Sequence, residues 1–104
     1  MAKVKAYVYK VPGFIDGYQI YPPVVILNKG DTFQLVNTVD DHEAELSVPD
    51  GVFEDGPVNK EKIGARKGSK EQTAKDTIIG VQYKVKVDGK DASAHSDPVI
   101  IIDP

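Results

Sequence analysis

Strict alternation of apolar and polar residues opens the chain. From Lys3 to Val11, Val4, Ala6 and Val8 fall on one side while Lys3, Lys5, Tyr7 and Tyr9 fall on the other. That period of two belongs to a strand with one dry face. It returns from Gly80 to Val87, where Val81, Tyr83, Val85 and Val87 alternate with Gln82, Lys84 and Lys86; the Asp88-Gly89 pair then supplies a turn. Thr32 to Asn37 sets Phe33 and Leu35 against Gln34. Glu43 to Val48 places Ala44, Leu46 and Val48 inward and stops at Pro49. Val24 to Leu27 and Val99 to Ile102 are continuous apolar runs, strands by their β-branched content. The second run has no polar residue on either side of the pleat, which predicts a strand in the middle of a packed sandwich.

The segments between these strands are less regular. Pro12 to Pro23 is broken by Pro12, Gly13, Gly17 and the Pro22-Pro23 pair, yet holds Phe14, Ile15, Tyr18, Ile20 and Tyr21. It reads as a loop that packs down as a lid. Aromatic residues on loops also favour interfaces, so Phe14, Tyr18 and Tyr21 are candidates for binding a partner protein. Periodicity fails from Asp50 to Lys62, which predicts irregular structure. Ile63 to Ala65 reads as a short strand, with a short helix over Asn59 to Ala65 as its competitor, and Lys70 to Ile79 as a further strand. Asn28 to Asp31, Asp40 to His42 and Arg66 to Ser69 are turns. No long amphipathic helical stripe occurs. Together these elements predict one domain over residues 1–104, an all-β antiparallel Greek-key sandwich of about seven or eight strands.

Composition removes several chemistries. With 104 residues the chain can bury a core unaided, and with no cysteine it has no disulfide, thiolate nucleophile or thiolate metal ligand. No apolar stretch approaches the roughly 20 residues of a membrane span. The sequence as given starts without a leader, which points to the cytoplasm, or to the periplasm or exterior where a leader has been removed. The net charge of −3 does not suggest a nucleic-acid partner. The charge is uneven: eight acids and no Lys or Arg lie from Asp31 to Asn59, and then Lys60, Lys62, Arg66, Lys67, Lys70 and Lys75 face only Glu61 and Glu71. Tyr7 and Tyr9 beside Lys3 and Lys5 read as the outer, half-wet face of an edge strand.

The run Pro22-Pro-Val-Val-Ile-Leu-Asn-Lys-Gly-Asp-Thr-Phe-Gln-Leu-Val-Asn37, followed by His42, resembles the cupredoxins. In that family a Pro-led strand, a Gly-Asp turn and a strand ending in Asn precede the first histidine ligand. Gly80-Val-Gln-Tyr83 and Val99-Ile-Ile-Ile102 resemble the strands that flank the family's ligand loop. The resemblance implies a cupredoxin-like sandwich whose three remaining ligand positions correspond to Val87, Lys90 and His95. Blue copper needs a thiolate, and Val87 offers no donor. The resemblance therefore implies the framework without the copper site.

The expected function is that of a non-catalytic binding or structural module with no cofactor, whose partner is another protein. Two alternatives stand beside it. One is a copper- or zinc-binding protein using His42 and His95, the only two histidines, with nearby Asp40, Asp41 or Asp97. The other is an immunoglobulin-like adhesion or assembly domain, although the Cys and Trp landmarks of that fold are missing. Hydrolysis has little support, since no Gly-x-Ser-x-Gly elbow occurs.

Overall fold

Three small sheets enclose the apolar residues in a computed structural model that describes residues 1–11, 17–92 and 97–103. Among these residues every regular element is a strand. The strands are β1 (Lys3–Lys10), β2 (Tyr18–Tyr21), β3 (Val24–Leu27), β4 (Thr32–Asn37), β5 (Ala44–Val48) and β6 (Val58–Ile63), followed by β7 (Gln72–Thr73), β8 (Ile79–Gln82), β9 (Lys84–Val87), β10 (Lys90–Asp91) and β11 (Val99–Ile102). The first sheet has the order β2-β1-β4-β7, the second β10-β9-β5-β6 and the third β3-β11-β8. The alternation seen in the sequence sorts side chains as expected. Ala6, Val8, Phe33, Leu35, Ala44, Leu46, Val48, Tyr83, Val85 and Val87 are all buried, and Phe33 stacks on Phe53 and meets Tyr83 edge-on, with ring centroids 5.9 and 5.8 Å away.

At two places the chain passes from one sheet to another with no more than two residues between strands. At Pro22-Pro23, after a cis Tyr21–Pro22 bond, the chain passes from β2 in the first sheet to β3 in the third. At Tyr83 it passes from β8, paired with β11, to β9, paired with β5. Pairing of β9 with β5 covers Lys84 to Val87 and stops before Pro49, which has no N–H to offer the ladder. The predicted strand over Gly80 to Val87 is thus two strands with one continuous burial pattern.

Several expectations need correction. The sheets are not wholly antiparallel: β1 runs parallel to β4, and β11 parallel to β3. β1 is not an edge strand, because β2 and β4 flank it. Residues 18–21 are a strand rather than loop, with Tyr18 and Ile20 buried and Gln19 and Tyr21 exposed. Neither irregular structure nor a helix occupies residues 58–63; these form β6, whose pattern is masked by a register shift opposite Leu46 and Val48 and by Lys60 at φ 50°. Of the strand predicted over Lys70 to Ile79, only Gln72–Thr73 pairs as a ladder, joined by a single bridge from Ala74 to Phe53. β11 buries Ile100 and Ile102 completely but leaves Val99 and Ile101 half-buried on its outer side, so it is packed on one face rather than two.

Candidate functional site

The connection from β4 to β5 carries His42, and Asn37 holds that connection in place. Asn37 is fully buried at the end of β4. Its Nδ2 donates to the carbonyls of His42, Ile63 and Gly64 at 2.9, 3.2 and 3.3 Å, and its Oδ1 accepts from the amide of Val39 at 3.0 Å. One side chain thereby ties the His42 turn to the end of β6. Arg66 reinforces the tie, its guanidinium donating to Asp40 at 3.2 Å and its amide to the Val39 carbonyl.

So anchored, His42 reaches the turn between β9 and β10. Its Nδ1 lies 2.9 Å from Asp41 Oδ1, and its Nε2 lies 3.6 Å from Asp88 Oδ2. Asp88 and Gly89 hold this turn in the left-handed region, at φ 53° and 72°. The hydrogen bond from His42 holds the Asp41 carboxyl below its ordinary pKa. Beside them, on the outer face of the second sheet, Lys62 binds Glu45 at 2.9 Å and lies 3.9 Å from Glu43, while Lys86 is the cross-strand neighbour of Glu45. The Lys62 contact lowers the Glu45 pKa, and Glu45 raises that of Lys62. His42, Glu43, Glu45, Lys62, Lys86 and Asp88 line a shallow cleft of about 300 Å³.

The copper ligand set does not fit this end of the sandwich. Val87 is fully buried opposite Ala44 and contributes no donor, and Lys90 lies in β10. Among the described residues, no group of three or more His, Cys, Asp or Glu side chains is arranged to hold a metal ion. Both nitrogens of His42 already face carboxylates. His95 and Phe14 lie outside the described residues. Tyr18 is core, 7% exposed, whereas Tyr21 is 64% exposed and is the cross-strand neighbour of Tyr7 on the solvent side of the first sheet. No described helix is long and apolar enough to cross a membrane.

In the sequence, Asp88 stands in a turn, Lys62 in a basic run and Lys86 on a strand face, and nothing there assigns any of them to a site. The Asp88-Gly89 turn was legible, but only the pairing of β5 with β9 brings it to His42. The same pairing sets Lys86 against Glu45. Comparison with known proteins finds no family model and no curated protein that matches the chain.

Proposed function

We propose that the protein is a cupredoxin-like β-sandwich without a blue copper site, acting as a non-catalytic binding module through the charged end that carries His42, Asp88, Lys62 and Lys86. Val87 carries the reading. By the resemblance, the thiolate position falls on Val87, an aliphatic side chain sealed into the core, which supports a sandwich without blue copper chemistry. The meeting of the His42 turn with the β9–β10 turn supports the cupredoxin-like arrangement, since the resemblance places the ligand loops at one end. The parallel β1/β4 and β3/β11 pairs argue against the immunoglobulin-like alternative, whose two sheets are antiparallel. A partner protein meeting this end finds ion pairs and a histidine rather than an apolar pocket, which favours orientation and specificity over strong affinity.

An amide NMR titration with copper(II) and with zinc separates this reading from divalent-metal binding by His42 and His95. The binding-module reading expects no saturable change at His42, Asp88 or Val87. Saturable shifts or broadening confined to the two loops, lost in His42→Ala, would replace it with the metal-binding reading. A photo-crosslinking residue at Glu43, on the cleft rim, should capture a discrete partner that the same residue at Glu54 does not. Identical adducts from both positions would remove the charged end as the recognition surface.

A further inference from the structure

Strand edges in this protein differ in how they are protected. β6 carries Lys60, Glu61 and Lys62, and β10 carries Lys90 and Asp91, charges that discourage a foreign strand from adding. β3 has no such device: it is Val24-Val25-Ile26-Leu27, at the end of the order β3-β11-β8. The Val99 amide donates to the Pro23 carbonyl at 3.0 Å and the Asp103 amide to the Leu27 carbonyl at 2.9 Å, bracketing the parallel ladder with β11. A parallel ladder engages alternate residues of each strand, so Pro23, Val25 and Leu27 face β11. Val24 and Ile26 therefore turn their N–H and C=O groups to the open edge, where no described strand pairs with them. Their side chains are 44% and 62% exposed. Behind them on the same face stand Val99 and Ile101, and then Gln82 and Gly80, with no ionised group among them.

We propose that this edge pairs with the same edge of a second copy of the chain, as an antiparallel ladder about a two-fold axis at Val25. In that register Val24 of each copy exchanges both backbone bonds with Ile26 of the other, and the two third sheets become one continuous sheet. The fit to a second copy follows from the edge itself. Its free groups lie two residues apart, so it is self-complementary, and being uncharged it brings no like charges together. Beyond the Leu27 end of the strand, Lys29 is paired with Asp76 at 3.4 Å, and Asp103 follows the last residue of β11. At the far edge of this sheet, a Cβ on Gly51 would lie 3.7 Å from Ile79 Cδ1, so the turn at Gly51 lies against the Ile79 side chain of β8. An isologous contact closes at two copies. Four bonds over one short strand fall well below a standard interface of about 1,600 Å², so the dimer is weak, with a dissociation constant of roughly 10 μM to 1 mM.

Sedimentation equilibrium from about 5 μM to 1 mM, with amide hydrogen exchange at both extremes, tests the proposal. The expected result is a monomer–dimer equilibrium in which the Val24 and Ile26 amides gain protection only at high concentration. Ile26→Lys should weaken association at least about tenfold. Ile78→Lys, at a more exposed apolar residue next to β8 rather than β3, should leave it unchanged. A monomer throughout the range would overturn the proposal, as would equal weakening by both substitutions. So would a monomer whose two amides become protected only on addition of a different extended peptide.

Discussion

Asn37→Asp changes one buried atom and should cost more than any surface substitution. The amide nitrogen of Asn37 supplies two N–H groups to three carbonyls at 2.9 to 3.3 Å. A carboxylate keeps the bond from the Val39 amide but confronts those carbonyls with negative charge and no donor. Each buried group left unpaired costs about 1–3 kcal/mol, so two lost N–H groups and a buried charge amount to about 3–5 kcal/mol at neutral pH. For a domain whose stability is of the order of 5–15 kcal/mol, that lowers the melting temperature by at least about 12 °C. Protonation relieves the charge and restores one donor. The new carboxyl therefore has its pKa raised by folding, and the penalty grows as pH rises from the ordinary carboxylate value to the raised one. Urea unfolding of both proteins at pH 7 and pH 4.5 should show a gap that narrows markedly at the lower pH. Asn37→Ala, which introduces no titrating group, should show a gap that does not change. A loss below about 1 kcal/mol at pH 7, or a gap for Asn37→Asp that is the same at both pH values, would refute the reasoning.

Two further outcomes follow from other buried or paired groups. Tyr83 is 1% exposed, its hydroxyl has no hydrogen-bond partner among the described residues, and burial raises its pKa. Tyr83→Phe, which keeps the ring contact with Phe33, should stabilise the fold by about 1–2 kcal/mol in thermal or urea unfolding, and destabilisation would mean that the hydroxyl is bonded. Asp31 accepts from the amides of Ala2 and Asn28 at 2.8 and 2.9 Å, bonds that lower its pKa, as His42 does for Asp41 and Lys62 for Glu45. Lowered carboxyls contribute stability above their unfolded values and lose it as pH falls through the folded ones, so the urea midpoint should drop below about pH 4. Asp31→Asn should flatten that slope, and an unchanged slope would remove Asp31 from the account.

The strands that the sequence declared were those whose solvent face is reliably polar, such as Glu43 to Val48, and those that are wholly β-branched, such as Val99 to Ile102. β6 was hidden because its bulge puts Asn59 and Lys60 successively in solvent, which breaks the period that identifies a strand. β2 alternates properly in Tyr18-Gln19-Ile20-Tyr21, but Pro22 and Gly17 at its ends gave the segment the look of a loop. The sheet change at Tyr83 leaves no mark in the alternation, because inside and outside continue in step while the hydrogen-bonding partner is exchanged. At the site, His42 and the Asp88-Gly89 turn were each visible. Their meeting was not, since it depends on cross-strand register between segments more than 40 residues apart in sequence. Asn37 stood in the motif that resembles the cupredoxins, yet its four polar contacts reach carbonyls and an amide that every sequence supplies, so nothing in the sequence marked its role.

The direct passage of the chain from sheet to sheet, at Pro22-Pro23 and at Tyr83, bears on how the molecule comes apart. A sandwich of separately wound sheets has a seam along which one sheet can peel while the other persists. Here, peeling β8 from β11 pulls directly on β9, and hence on β5, while loosening β3 drags β2 from β1. The three sheets are thereby linked, so none can separate at these crossings without tension on another. Slowly exchanging amides in all three sheets should therefore report one common opening free energy, that of global unfolding.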